Sequence, residues 1–231
     1  MTHPYYSARA PQIAAEFRDS LRLAAPAFAR AAPQLDIDAL WPEIATQLQD
    51  VIAALPWVGG DGGRMTGYFE QNAGVIALGR VLIAHGLPKP VAAHLLQRTF
   101  LARLGAMDRD ARSALGHAFM SPASLDRLRF LALESQNKEN PGDFVYTFVE
   151  PGQENGETFD FGLNYQECGF CKLCGKTGDT DILPMICGMD EESYALRGVR
   201  LTRTQTLASG ATHCNFRYRQ MTPGEMPDPE S

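Results

Sequence analysis

Near Asp143 the spacing of apolar residues changes from three or four to two, and no other feature restricts the fold of this chain as strongly. Before it, "AEFRDSLRLAAPAFARAA" and "DIDALWPEIATQLQDVIAALP" repeat apolar residues at helical spacing, the second with Asp36 or Asp38 placed to cap it. A third helix is expected over roughly Thr66 to His85, closed by Gly86 and Pro88, and a fourth over "KPVAAHLLQRTFLARLGAM". Two shorter ones run through "DRDARSALGHAFM" and "SPASLDRLRFLALESQ" before "NKENPGD" breaks the pattern.

After Asp143, "FVYTFVE" alternates apolar and polar residues, "PGQENGE" turns the chain, and "TFDFGLNYQE" returns as the second strand of a hairpin. "TDILPMICGMDEESYALRG" reads as one or two short helices. "VRLTRTQTLAS" and "THCNFRYRQ", joined at Gly210, read as a second hairpin. Helices segregated before such a sheet indicate α+β: an N-terminal helical bundle, then a four-stranded antiparallel sheet with a helical crossover, ββααββ. The helical region is expected over residues 1–138, the cysteine-bearing α+β region over 139–221, and a disordered tail over 222–231, where the chain is turn-forming and acidic.

Composition narrows the function classes. With 231 residues, 45% of them hydrophobic, the chain can bury a full core, and a net charge of −6 offers no basic footprint for nucleic acid or anionic lipid. The best apolar run, "AGVIALGRVLIAHG", is too short to span a bilayer and carries Arg80. "MTHPYYSARAPQ" lacks the basic start and apolar centre of a signal peptide. An odd number of cysteines, five, then argues for reduced thiols and a cytoplasmic location.

The chemistry concentrates in "NYQECGFCKLCGKTG", where Cys168, Cys171 and Cys174 stand three apart. If Cys168 opens a helix after a strand, neighbouring members of the trio share adjacent ridges, and the free amides of the first turn favour a thiolate. A zinc ribbon would need a second Cys-x-x-Cys knuckle, and a ferredoxin run a fourth Cys followed by Pro; neither is present. A metal set must therefore be assembled by the fold, with Cys168, Cys171, Cys187 and Cys214 holding Zn or an Fe–S cluster. Cys187 and Asp190, three apart, would share one helix face. Against all of these stands the fact that free cysteines often only fill space.

Two further elements point to an anion. The loop "GGDGGRM" precedes a helix and could present its amides, at Gly59 and Gly60, beside the charge of Arg64; otherwise it is a flexible turn. It fits neither the Walker nor the Rossmann pattern. Arg203, in "RTQT" on an alternating strand, could hold a carboxylate or be solvated. His85, His94 and His117 fall on different helices and read as structural or exposed.

"LPWVGGDGG" with its long apolar helix, the strand ending in "EC", then "PMICGMD", "TRTQTLASG" and "THCNFRY" together resemble the L-2-amino-thiazoline-4-carboxylic acid hydrolase family, over roughly residues 50 to 220. The C-terminal half is also similar in layout to the ligand-binding domains named after 4-vinyl reductase. The chain departs from the hydrolases in two places. Asn215 stands where they often carry Asp, and the cysteine trio is richer.

The first resemblance implies hydrolytic opening of 2-aminothiazoline-4-carboxylate to N-carbamoyl-cysteine, without a cofactor. Cys168 or Cys187 would be the nucleophile and Asp190 the acid/base or the partner of the ring amidinium. Arg203, or Gly59 and Gly60 with Arg64, would hold the carboxylate. Cys174, further along its helix, is expected to matter less than Cys187. The implied partner is a small-molecule carboxylate, with no nucleic acid or membrane; self-association stays open. A metal-dependent hydrolase, a cysteine-ligated metal or Fe–S protein, and a small-ligand sensor are the other readings.

Overall fold

The computed structural model describes residues 3–222 and 224–229. Seven helices come first: α1 (Pro4–Leu23), α2 (Ala25–Ala31), α3 (Ile37–Ala54), α4 (Thr66–Ala84), α5 (Lys89–Gly105), α6 (Arg109–Met120) and α7 (Pro122–Glu134). The expected first helix is in fact two. Pro26, which cannot donate into a continuing helix, sits in the first turn of α2, and the chain bends at Ala24. Of the two aspartates considered as caps for α3, Asp36 does the work, accepting from the amides of Asp38 and Ala39.

α4 is apolar on nearly every side because it runs through the centre of the molecule; Val75, Ile76, Leu78 and Leu82 are fully buried. Each such side chain contributes about 2 kcal/mol of apolar transfer. Gly86, at φ 74°, takes the left-handed position that ends the helix.

The second half carries β1 (Val145–Val149), β2 (Gly152–Glu154), β3 (Glu157–Phe159), β4 (Phe161–Glu167), α8 (Gly169–Thr177), α9 (Leu183–Ala195), β5 (Val199–Thr202) and β6 (Cys214–Gln220). The antiparallel sheet has the order β1-β4-β6-β5, with Phe148 opposite Leu163 and Tyr165 opposite Cys214. The turn expected at "PGQENGE" is longer than a turn. It is a separate two-stranded ear, β2-β3, closed by Asn155 and Gly156 at positive φ, the pairing that a tight hairpin prefers. The α+β expectation holds. α9 lies between α5 and β5, so the crossover helices join the sheet to the helical layer.

Two further expectations are corrected. β5 stops at Thr202, and "RTQT" is not a strand. The Asn215 side chain accepts from the amides of Thr204 and Gln205, both at 3.0 Å, and so takes donors that a longer ladder would use. The described part of the tail, Thr222 and residues 224–229, lies against the body: Met226 is buried, and Arg109 donates to its carbonyl and to Asp228. Residues 223, 230 and 231 fall outside the described set. Among the described residues no helix is long and apolar enough to cross a membrane.

Candidate active site

β4 delivers the chain to Cys168, which is still extended (φ −124°, ψ 123°) and caps α8. The helix can begin there because Gly169 has no side chain. A Cβ at that position would lie 2.3 Å from the Gly142 carbonyl and 2.7 Å from the Phe69 ring. The same sheet face turns Tyr165, Cys214, Phe216 and Tyr218 inward, since these positions alternate in register across β4 and β6. α9 adds Cys187 and Asp190 from one of its faces, as their spacing predicts.

These segments enclose a cavity of about 120 Å³. Such a volume is below the ~300 Å³ at which pockets for drug-sized ligands begin, so it suits a smaller molecule. Cys168, Cys187, Asp190, Arg203, Cys214 and Arg64 all line it. A larger groove of about 750 Å³ is also lined by Arg203, but four of its charges form two ion pairs, Glu154 with Arg217 at 2.5 Å and Arg200 with Glu157 at 3.1 Å.

Two of the residues expected to hold the carboxylate do not reach the cavity. Gly59 and Gly60 belong to a turn folded onto α1, where Gly60 lies against Trp57 and the neighbouring Asp61 accepts from Tyr5 at 2.6 Å. The Gly60 carbonyl takes both the Gly63 amide and the Thr66 hydroxyl, which closes the turn on itself. Arg64 leaves that turn and stands exposed at the cavity rim. Its guanidinium lies 5.2 Å from the Tyr146 ring centroid and hydrogen-bonds the Tyr146 hydroxyl, with no carboxylate in ion-pair reach among the described residues.

Asp190 is the most consequential group. Its side chain lines the cavity and keeps 38% of its surface open. Burial pushes its carboxyl up to about 6, against the opposing pull of Arg203. Arg203 donates to Asp190 Oδ2 at 3.0 Å and to the Cys187 carbonyl at 2.7 Å, with its guanidinium stacked 4.8 Å from the Phe216 ring centroid. Arg203 is therefore committed to Asp190; of the two other arginines on the cavity, Arg197 donates to the Ser193 carbonyl and hydroxyl, and Arg64 stands at the rim beside the Tyr146 ring.

The thiols divide sharply. Burial and the nearby Asp190 push Cys187 up to about 12. A hydrogen bond to Cys171 and burial push Cys168 well up, and the same bond draws Cys171 down to about 7. Cys171 does not line the cavity; it lies behind Cys168 in the first turn of α8. Cys174 is fully buried in the core, and Cys214 accepts the Leu207 amide at 3.2 Å. Among the described residues no three His, Cys, Asp or Glu side chains are gathered to hold a metal ion, so the four-thiol ligand set of the alternative reading does not fit this arrangement.

Sequence reasoning passed over the aromatic wall and Asn72. Tyr68 and Asn72 stand four apart on α4 and both reach the cavity, a helical signal that could have found them. Asn72 Nδ2 donates to the Tyr68 carbonyl at 2.9 Å, while its buried Oδ1 has no partner among the described residues. Tyr165, Tyr194 and Tyr218 keep their protons, each pushed up first by burial.

No curated protein and no solved structure matches the chain. A family model described as L-2-amino-thiazoline-4-carboxylic acid hydrolase matches residues 85–218. That span holds α9, the sheet up to Tyr218 and every cysteine, leaves out the α4 side of the cavity, and exceeds half the sequence. The chain therefore belongs to the L-2-amino-thiazoline-4-carboxylic acid hydrolase family.

Proposed function

We propose that this cavity hydrolyses a small cyclic amidine carboxylate, with 2-aminothiazoline-4-carboxylate opened to N-carbamoyl-cysteine as the reaction that the family's description points to. The observation that carries the reading is the pairing of Asp190, poised near neutral pH inside the cavity, with Arg64, a cation without a carboxylate partner at its rim. A substrate with an anion at one end and a protonated amidine at the other matches both groups. Asn72 Oδ1 offers a further acceptor for an amidine N–H.

In the mechanism proposed, Asp190 accepts a proton from water as its oxygen adds to the ring carbon between nitrogen and sulfur. Asp190 returns that proton to the sulfur as the C–S bond breaks. It then receives the hydroxyl proton of the adduct as the urea carbonyl forms. Arg203 keeps the carboxylate oriented and ionised through its 3.0 Å contact. Cys168 and Cys187 hold their protons, which favours Asp190 over either thiol as the group that activates the nucleophile. Their part is to line the cavity with soft, neutral surface beside the ring sulfur.

The test is direct: purified protein is incubated with the thiazoline, and thiol release is followed together with the mass of the product. Ring opening by the wild type and its loss in Asp190→Asn support the reading. Absence of ring opening in the wild type, or full activity in Asp190→Asn, overturns it.

A further inference from the structure

The mechanism makes no use of the redox chemistry open to the thiol pair at the start of α8. We propose that Cys168 and Cys171 form a redox-active dithiol, which a low-molecular-weight disulfide converts into an intramolecular disulfide. The inference does not depend on the hydrolase reading.

Geometry carries it. Cys168 is the extended cap of α8 and Cys171 lies in the first turn, with only Gly169 and Phe170 between them. Helical rise and radius place residues three apart about 5 Å from one another, inside the ~4.4–6.8 Å Cα separation that a disulfide spans. Each thiol acts on the other's proton affinity, Cys168 being pushed up and Cys171 drawn down to about 7. Cys171 stands where the free amides of a first turn favour an anionic sulfur. Both residues are partly accessible, and Cys168 also faces the cavity. Cys174, by contrast, is fully buried and pushed up to about 12 by burial, so the third member of the trio takes no part.

The exchange balances as follows. The Cys171 thiolate attacks one sulfur of R–S–S–R; the S–S bond breaks, RS⁻ leaves, and a mixed disulfide forms on Cys171. Cys168 gives up its proton and attacks the Cys171 sulfur, and the second RS⁻ leaves. Two thiols are oxidised by two electrons, and one external disulfide is reduced to two thiols.

The experiment equilibrates reduced protein in glutathione/glutathione-disulfide buffers of increasing disulfide fraction. Free thiols are then alkylated, and intact mass and peptide masses are read, with metal content measured on the starting material. The expected result is that two of the five thiols disappear together. The peptide containing Cys168 and Cys171 should carry an internal disulfide that dithiothreitol reverses. Cys174→Ser should behave as the wild type, while Cys171→Ser should keep Cys168 free for alkylation. Four results would overturn the proposal: both thiols still alkylated at the most oxidising ratio, pairing of either with Cys187 or Cys214, a glutathione adduct on Cys171 that never closes, or a stoichiometric metal protecting the pair. All readouts are masses, so a protein that opens no thiazoline ring still answers the question.

Discussion

Arg203 Nη1 lies 3.0 Å from Asp190 Oδ2, and this contact opposes the burial that raises the Asp190 carboxyl. Without Arg203 the carboxylate would hold its proton to higher pH and would be a weaker base in neutral solution. The contact is thus a tuning element as well as an orienting one.

Asp190→Asn should lower turnover by about 100-fold or more, the loss typical of a positioned acid–base group, with an unchanged circular-dichroism spectrum. The wild-type rate should fall on the acid side of about pH 6, where Asp190 takes up its proton. Stability runs the other way. A carboxyl raised from 3.8 to about 6 on folding contributes stability that is complete below the lower value and lost as pH rises through the upper one. Denaturant midpoints measured from pH 4 to pH 7 should therefore vary less in Asp190→Asn than in the wild type.

Arg203→Gln should move the acid limb of the rate profile to higher pH, because it removes the neighbour that lowers Asp190. An unmoved limb combined with a lower rate would mean that Arg203 acts only through packing. The pH profile of kcat/KM separates the two outcomes.

Arg64→Gln should raise KM by about 10- to 100-fold, the worth of one charged hydrogen bond, and leave kcat within a few-fold. A substrate analogue with a carboxamide in place of the carboxylate should bind wild type and variant alike. If the variant discriminates against the carboxamide as strongly as the wild type does, the carboxylate is held elsewhere.

Arg80 grips Asp179 with two hydrogen bonds, 2.8 and 2.7 Å, and so ties α4 to the link between α8 and α9. Asp179→Ala leaves that arginine without its carboxylate, with only Gln47 to accept from it at 3.1 Å, and should cost about 3 kcal/mol, read by urea denaturation. Burial alone would raise Asp179, but Arg80 and Thr177 outweigh it and the carboxyl is lowered. Its stability contribution is therefore present above the ordinary value of 3.8 and lost as pH falls below it.

The sheet and the helical layer were legible because burial on one face forces a period of two on strands and about 3.6 on helices. The approach of Cys187, Asp190 and Cys214 followed from the same periods, and Cys168 joins them from the junction between β4 and α8. The "GGDGG" turn misled because amides that could bind an anion are chemically the same as amides that close a turn. Only the contacts of Trp57, Tyr5 and Thr66 with that segment decide between the two. The division of the thiols was illegible for a similar reason: spacing placed Cys168 at a helix start, but the lowering of Cys171 depends on a hydrogen bond between side chains.

Asn215 ties the β2-β3 ear to the segment that follows β5. Its Nδ2 donates to Glu154 and to the Thr204 hydroxyl, both at 2.8 Å, while its Oδ1 takes two amides. Asn215→Asp would face one carboxylate with another, and it should cost about 1–3 kcal/mol, the penalty of an unmet buried polar group. The amide has a second effect. By ending β5 at Thr202 it leaves the outer edge of the sheet only four residues long, Val199–Thr202, with charged Arg200 pointing outward. A strand that short and that charged is a poor template for another chain to extend, so the residue that frees Arg203 for Asp190 also protects the protein from edge-to-edge aggregation.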